Sequence, residues 1–352
     1  MLAVRDRLKE SGALAENEPF AIGLRLSAVA ARELLEGGHL QDFKKWLEQT
    51  NTYVFTINGF PYGSFHGTRV KEQVFMPDWT ERARVDYTKD LFRILATIAR
   101  PGTGASVSTL PGSHKTFHAD EAPIRRNLIE LATWLEELAA ETGHDFHLGL
   151  EPEPLGHFEN TVETLEFFER LHAEAPDAEI LRRRIGVNFD TCHFALEYDD
   201  VRASLDVMVN SGIRISKIHL SSALVLDPRD PSAVAAIRAF DEPTYFHQVL
   251  VLGDAAAITR FVDLPDFLNA GEIAGAVEAR VHFHIPLDSE PAPPLRSTRR
   301  DVEAVLAWRR DHPEACRHYE IETYTWGVLP QGLQRPVEEQ IAGEYAWVLG
   351  NA

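Results

Sequence analysis

The sequence predicts an α/β fold in which eight parallel strands and their helices close into one (β/α)8 TIM barrel. Eight short runs are rich in Val, Ile, Phe and Leu and are too short to be buried helices. Helical patterns separate most of these runs, and such alternation is typical of a parallel sheet. Because the sequence contains no G-x-G-x-x-G, P-loop or G-x-S-x-G motif, a closed barrel is favoured over an open dinucleotide-binding sheet.

The eight predicted strands are spread over the whole chain. In order, they are FAIGLRL (20–26), TYVFTIN (52–58), ASVSTL (105–110), DFHLGL (145–150), RIGVNFD (184–190), ISKIHL (215–220), RVHFHIP (280–286) and YEIETYT (319–325). Apolar residues recur at helical spacing between strands, at Ile124, Leu128, Leu131, Leu135 and Leu138 and again at Val162, Leu165, Phe168 and Leu171. Pro123 suits the first turn of the former helix, and Asn160 or Thr161 could cap the latter.

The length permits one large barrel or two ordinary domains, and the strand pattern favours a single domain over residues 1–352. Two segments interrupt the alternation and are predicted to be loop insertions. The longer one spans about 225–264, and the Pro-rich segment 289–298 is the other.

The charge balance limits the classes of partner that we expect. There are 54 Asp and Glu against 35 Lys and Arg, a net charge of −19, which argues against nucleic acid or an acidic membrane surface as the partner. The two cysteines indicate a reducing compartment, and no uncharged apolar run approaches the roughly 20 residues that span a bilayer. We therefore expect a cytoplasmic protein, not inserted in a membrane, that acts on a small molecule.

Four potential metal ligands each stand at the end of a predicted strand. They are Glu151, Asp190, His219 and Glu322. Because the carboxyl ends of all barrel strands meet at one rim, these residues would share one pocket. Carboxylates and one imidazole around a point form a ligand set for a divalent cation with open positions.

Each of these residues also has a simpler explanation when it is taken alone. Asp190 could merely cap the next helix, and His282 and His284, which alternate with Phe283, could form a packed polar ladder. Because acidic or imidazole residues end at least five consecutive strands, we favour a site and include both histidines among the candidate metal ligands. Candidate substrate ligands at the same rim are Asn58, His66, Glu153 and Trp326, and Phe60, Tyr62 and Trp326 could line an apolar pocket.

The run FDTCH (189–193), with Asp and His three residues apart after a strand, resembles the xylose-isomerase-like TIM-barrel superfamily. That group includes sugar isomerases, ketose 3-epimerases and endonuclease IV. The resemblance implies that Glu151, Asp190, His219 and Glu322 hold one divalent metal. It also implies that His193 contacts the substrate or a second metal, and that a second acid, Glu153 or Glu159, follows the first metal ligand.

Longer sequence segments resemble the Ebo-cluster metabolite-traffic protein family over nearly the whole chain. They are GLRLSA, YVFTINGFPYGSFHGTRVKEQVF, STLPGS, LEPEP, FDTCH, KIHLSSAL, VHFHIPL and ETYTWGVLP. Members carry one more strand before the helix that begins this chain. Either the start is truncated, and the barrel lacks an N-terminal strand, or FAIGLRL is the true first strand. In the former case RVHFHIP or the insertion lies outside the barrel.

The chemistry expected at such a site is proton transfer on an α-hydroxy carbonyl compound. Mn²⁺, Mg²⁺, Co²⁺ or Zn²⁺ would act as the Lewis acid, while Glu151 and Glu322 move the proton with His193 beside them. The alternatives are an endonuclease IV-like phosphodiesterase and a non-catalytic binding component of a metabolite-traffic system. A homo-oligomer and a complex with other proteins of the cluster are both left open.

Overall fold

A computed structural model describes residues 1–63 and 71–352. Within them the strands are β1 (Phe20–Arg25), β2 (Thr52–Asn58), β3 (Ala105–Thr109), β4 (Phe146–Leu150), β5 (Ile185–Asp190), β6 (Arg214–Leu220), β7 (Leu224–Leu226), β8 (Val249–Gly253), β9 (Ile258–Phe261), β10 (Ala276–Val281), β11 (Arg296–Ser297) and β12 (Tyr319–Ile321). The α-helices are α1 (Leu2–Glu10), α2 (Ala28–Leu35), α3 (His39–Gln49), α4 (Arg82–Ile98), α5 (Glu121–Thr142), α6 (Thr161–Glu174), α7 (Ala178–Arg184), α8 (Thr191–Leu196), α9 (Val201–Asn210), α10 (Pro231–Ile237), α11 (Leu264–Asn269), α12 (Arg299–Asp311) and α13 (Val337–Asn351).

The predicted α/β class is confirmed by a parallel sheet that forms the centre of the molecule. Seven strands pair in the order β1-β2-β3-β4-β5-β6-β12, and every ladder between them is parallel. The sheet is nearly closed, because a Cβ built on Gly23 of β1 would lie 1.8 Å from Oε1 of Glu320 on β12. Parallel strands buried on both faces give β3, β4 and β5 their continuously buried sequences.

One of the eight predicted barrel strands is wrong. The run RVHFHIP does not enter the parallel sheet, because β10, which contains its first residues, pairs antiparallel with β7 and β8. The chain then returns to the barrel rim, where the backbone N–H of Ile285 donates to the carbonyl of Ser222 at 3.0 Å. An alternating apolar pattern predicts a half-buried strand but does not specify its partner, so the sequence could not separate the two sheets.

A second, antiparallel sheet covers part of the barrel. Its five strands have the order β11-β7-β10-β8-β9 and therefore include both the predicted insertion and the Pro-rich segment. It has its own hydrophobic cluster, with α10 and α11 packed against it, which includes Leu226, Ile237, Val251, Phe267 and Phe283. The barrel strands and outer helices enclose the larger core cluster. The antiparallel sheet thus brings residues 276–285 to the carboxyl end of the barrel.

The helices follow the predicted periodicity with one exception. Ile124, Leu128, Leu131 and Leu135 are buried on α5, whereas Val162 at the start of α6 is 63% exposed. The side chain of Asn160 accepts a hydrogen bond from the N–H of Glu163, and this confirms a predicted cap. No helix among the described residues is both long and apolar enough to cross a membrane.

Candidate metal centre

The four predicted metal ligands come together at the carboxyl end of the parallel sheet. Nδ1 of His219 lies 2.7 Å from a carboxylate oxygen of Glu322, 3.0 Å from Glu151 and 3.4 Å from Asp190. One ligand atom from each of the four residues lies within 4.8 Å of the others. Parallel register produces this convergence, because Asp190 on β5 is aligned with His219 on β6.

Asp190 both caps a helix and faces the centre. Its Oδ1 accepts from the N–H of Cys192 at 2.8 Å, the N–H of His193 at 3.2 Å and the hydroxyl of Ser221 at 2.6 Å. Its Oδ2 is buried and has no hydrogen-bond partner. The cap predicted as the simpler explanation therefore exists, and it fixes the carboxylate so that one oxygen stays available to a ligand.

The other ring nitrogen of His219 is held by residues that the sequence analysis missed. Its Nε2 lies 3.3 Å from Glu320, whose carboxylate also accepts from the ammonium of Lys217 at 2.7 Å. Lys217 is fully buried and donates as well to the hydroxyl of Ser108 at 2.9 Å. A signal for both residues was present, since Lys217 and Glu320 stand two positions before His219 and Glu322 and so face the same side of their strands.

Burial and mutual repulsion shift the titration of these groups. Burial, reinforced by the charge of Glu151, raises the pKa of Glu322 to about 8 although His219 opposes the shift. Burial would raise the pKa of Asp190 as well, but His193 and His219 hold it well below its usual range. The carboxylates in turn raise the pKa of His219 well above normal, against the effect of burial. Ionised carboxylates are therefore disfavoured so close together, and a bound cation would relieve their repulsion.

A second group of donors lies directly beside the first. Nε2 of His193 is 3.2 Å from Nε2 of His282 and 3.3 Å from a carboxylate oxygen of Glu153. His284 is fully buried, and its Nε2 has no hydrogen-bond partner. Ligand atoms of Cys192, His282 and His284 also lie within 4.8 Å of one another. His282 and His284 thus reach the rim from the antiparallel sheet, where the chain returns to the barrel.

The second acid of the centre is Glu153 rather than Glu159. Burial raises the pKa of Glu153 to about 8, with His193 opposing the shift. The residue lines a cavity that it shares with Glu151 and Glu322. Glu159 instead is buried against Lys115 and accepts from the backbone N–H of Leu155 at 2.7 Å. Its charge is therefore engaged in holding the loop.

The predicted substrate ligands are partly accounted for. Asn58 donates to Oε1 of Glu322 at 3.2 Å and lines the cavity, as does Trp326. His66 lies outside the described residues. Tyr62 does not line the cavity and packs edge-on against Tyr87 at 5.1 Å.

A cavity of about 310 Å³ opens from the two donor groups. At one end are Glu151, Glu153, His193, His282, His284 and Glu322. Much of the remaining wall is apolar or aromatic, formed by Leu24, Phe60, Phe75, Trp326, Ile341 and Tyr345. A polar end joined to an apolar wall is typical of a site that fixes one reactive group of a larger molecule.

The donor atoms fit a divalent cation. Three carboxylates around one imidazole nitrogen, one of them with an unpartnered oxygen on Asp190, are the donor chemistry that Mn²⁺, Mg²⁺, Co²⁺ and Zn²⁺ share. The carboxylate of Glu320 on the other nitrogen of His219 is the usual support of a metal-bound histidine.

Comparison with known proteins gives likenesses among solved structures only. No family model matches the chain, and no curated protein matches it. A probable 3-DHS dehydratase, AsbF, from Bacillus anthracis is 12% identical, with a TM-score of 0.48 over 94% of this chain and 88% of that one. A protein from Sinorhizobium meliloti is 15% identical, with a TM-score of 0.45 over 98% and 94% of the two chains.

A xylose isomerase domain-containing protein from Salmonella typhimurium is 11% identical, with a TM-score of 0.44 over 97% of this chain and 89% of that one. Identities and TM-scores this low carry no statement about the chemistry of this chain. The chemistry of this chain is therefore inferred from its parallel sheet and its donor atoms.

Proposed function

We propose that this protein is a metal-dependent isomerase or epimerase that moves a proton on an α-hydroxy carbonyl compound, in the processing or traffic of a metabolite. The observation that carries the proposal is the arrangement around Nδ1 of His219, where Glu151, Asp190 and Glu322 each place an oxygen within 3.4 Å. Bound there, a divalent cation would supply Lewis-acid polarisation of the substrate carbonyl.

Glu151 and Glu322 are the pair that we assign to proton transfer. They come from β4 and the end of β12 and reach His219 from different strands, so they can approach a bound substrate from different directions. Asn58, which donates to Glu322 at 3.2 Å, orients that carboxylate. His193 and Glu153, at 3.3 Å from each other, form the adjacent wall and would bind the substrate oxygens.

The apolar side of the cavity supports a substrate larger than a simple sugar. Phe60 and Phe75 pack edge-on at 5.2 Å, and both line the cavity. Aromatic rings bury apolar area at low entropic cost and also stack on the apolar face of a sugar ring. We therefore propose a polyhydroxylated or keto compound that carries an apolar or aromatic substituent.

Proton exchange with solvent tests the reaction. The metal-stripped chain is reloaded with Mn²⁺, Mg²⁺, Co²⁺ or Zn²⁺ and incubated in deuterated water with a panel of ketoses and aryl-substituted α-hydroxy ketones. The expected result is deuterium incorporation next to the carbonyl, seen by NMR, that requires both the chain and a divalent ion. Glu151→Gln and Glu322→Gln should reduce the exchange rate by at least about 1,000-fold, because each removes a proton carrier.

Glu159→Gln is the matched control, since Glu159 is a buried glutamate of the same loop that is engaged by Lys115. It should retain the exchange rate. Normal exchange in Glu151→Gln and Glu322→Gln would remove the proton-transfer role. Tight metal binding without exchange of any compound of the panel would favour the non-catalytic binding component instead.

The second candidate is hydrolysis of a phosphodiester, and the observation that favours it is the histidine-rich group beside the carboxylates. Two neighbouring cations can clamp the attacking and leaving oxygens of a displacement. The net charge of −19 argues against DNA as the substrate. Release of nitrophenol from bis(p-nitrophenyl) phosphate, without any proton exchange on the ketones, would select this alternative.

A further inference from the structure

We propose that the cavity has a second recognition point, where Glu344 binds a cationic amine on the substituent of the substrate. The proposal rests on the function proposed above and names the chemical class of that substituent. It is carried by the path of the cavity between β1 and β12 and by an unpartnered carboxylate oxygen of Glu344.

The cavity passes between the two end strands of the parallel sheet. β1 and β12 stand at opposite ends of the strand order, so the described residues form no ladder between them. Consecutive residues of a strand point to opposite faces. Leu24 and Arg25 of β1 nevertheless both line the cavity, as do Glu320 and Ile321 of β12. The cavity therefore reaches from the inner face of the sheet, through the gap between these strands, to the outer face.

Helix α13 closes the outer part of the cavity, which we call the side arm. The side arm is lined by Leu24, Ile321, Thr323, Ile341, Glu344 and Tyr345. Four of these residues are apolar or aromatic, so an alkyl or aryl group can be buried there. The three residues from α13 are spaced to share one face of the helix. Glu344 thus places a carboxyl group against a largely apolar wall.

The carboxyl group of Glu344 is held by one oxygen only. Oε2 accepts from the hydroxyl of Thr323 at 2.6 Å and from the backbone N–H of Leu287 at 3.2 Å, and both donors are neutral. Oε1 is buried and has no hydrogen-bond partner. A buried carboxylate oxygen without a partner is costly, and an ammonium group supplies both the missing donor and the opposite charge.

The preceding turn of α13 also has unmet hydrogen-bonding capacity. Gln340 is fully buried, and neither its Oε1 nor its Nε2 has a hydrogen-bond partner. Because residues four apart lie on the same side of a helix, Gln340 and Glu344 extend from one side of α13. Buried polar atoms in native proteins usually have partners. Three unpartnered polar atoms on this side therefore indicate that a polar group of a ligand binds at α13.

Protonation of Glu344 is the simpler alternative, and it satisfies fewer groups. Burial raises the pKa of Glu344 to about 7, with the hydrogen bond from Thr323 opposing the shift. A proton on Oε1 would remove the charge, but the new O–H group would itself lack an acceptor. Tyr345 lines the same side arm, and the face of an aromatic ring attracts an ammonium group. An amine therefore matches both the carboxylate and the aromatic wall.

Binding of phenethylamine to the full chain loaded with Mn²⁺ tests the proposal. This probe carries an aryl and an ammonium group but no carbonyl, so its binding does not depend on turnover. 2-Phenylethanol replaces the ammonium by a neutral hydroxyl. In titration calorimetry we expect phenethylamine to bind at least about 10-fold more tightly than 2-phenylethanol, because hydrogen bonds between charged groups are stronger. In Glu344→Gln the two affinities should become equal.

Glu339→Gln is the matched control, since it removes the same charge from an exposed position on α13 and should keep the preference for the amine. Equal affinities of the two probes in the unchanged chain, or a preference retained by folded Glu344→Gln, overturns the proposal. If Glu344→Gln does not fold, the unchanged chain with labelled isoleucine methyls decides. Nuclear Overhauser contacts from the probe ring to Ile321 and Ile341 support the side arm, and their absence refutes it.

Amine binding and proton exchange are separate measurements, so the two proposals can fail separately. Preference for the amine without proton exchange on any ketone would refute the proposed reaction alone. Proton exchange with equal binding of the two probes would refute the amine site alone. Where both are observed, Glu344→Gln should raise KM for an amino-substituted α-hydroxy ketone by about 10-fold and leave kcat unchanged, as expected for a group that binds substrate and transition state equally.

Discussion

The two ends of the parallel sheet both bury histidines, but they treat them differently. At the amino end, His318 has a partner on each ring nitrogen, the hydroxyl of Ser106 at 2.7 Å and the carbonyl of Thr103 at 2.9 Å. At the carboxyl end, Nε2 of His284 and Oδ2 of Asp190 are buried without partners. Satisfied buried polar groups stabilise a fold, whereas unsatisfied ones cost free energy unless a ligand engages them.

The comparison indicates where ligands bind. Burial lowers the pKa of His318 to about 4, so the amino end keeps a neutral ring in a complete network. At the carboxyl end, carboxylates crowd one another, and burial raises the pKa of Glu153 and of Glu322 to about 8. In α/β barrels, the carboxyl end carries function and the other end carries stability. Four substitutions test whether the buried polar groups of the two ends differ in this way.

The largest effect is expected from Asp190→Asn. The amide oxygen can keep the cap contacts to Cys192 and His193, but the group facing the metal centre loses its charge. We expect the affinity for a divalent cation to fall by at least about 100-fold, more than is usual for the loss of a residue that only supports a metal ligand. Titration calorimetry with Mn²⁺ and Zn²⁺ measures it. Unchanged affinity for both ions would show that Asp190 does not contribute to the metal centre.

Glu344→Gln should alter stability with a defined pH dependence. Glu344 is fully buried on α13, its Oε1 has no partner, and burial raises its pKa to about 7. As pH rises from about 4.5 to 7, the unfolded chain loses this proton first, so the free energy of unfolding of the native protein falls. Glutamine removes that loss, which amounts to roughly 3 kcal/mol at pH 8.

Urea unfolding at pH 5 and pH 8 measures this difference. The variant and the unchanged chain should be close in stability at pH 5, and the variant should be the more stable at pH 8. Equal stability at both values would contradict the raised pKa.

Glu320→Gln should weaken the carboxylate site without removing any of its ligands. The carboxylate holds Nε2 of His219 at 3.3 Å and is held by Lys217 at 2.7 Å. Loss of its charge should lower Mn²⁺ affinity by roughly 10- to 100-fold. Competition with a chelator measures the affinity. Unchanged Mn²⁺ affinity would show that Glu320 does not support His219 as a metal ligand.

The smallest effect on the centre is expected from His318→Gln. The substitution disturbs the contacts to Ser106 and Thr103 at the amino end, and should reduce the free energy of unfolding by about 1–3 kcal/mol. Cation content and proton exchange should stay unchanged. A loss of cations in a folded His318→Gln protein would show that the amino end is coupled to the metal centre.

The sequence alone determined the strand ends at which chemistry is possible. Glu151, Asp190, His219 and Glu322 could be assigned to one rim, because parallel strands with crossover helices place all their carboxyl ends on the same side. Strand periodicity also located six of the eight predicted strands in sheet positions next to their sequence neighbours, from β1 to β6. Such patterns are local, and the common direction of parallel strands then places the strand ends on the same side of the sheet.

Only the tertiary structure decided which atoms meet. It assigned RVHFHIP to the second sheet, because an alternating pattern defines two faces and leaves the pairing partner open. It also placed Lys217 and Glu320 behind His219, and it left Oδ2 of Asp190 and Nε2 of His284 without partners. Hydrogen-bond satisfaction depends on distances of a few tenths of an ångström between residues far apart in the chain, which no local pattern encodes.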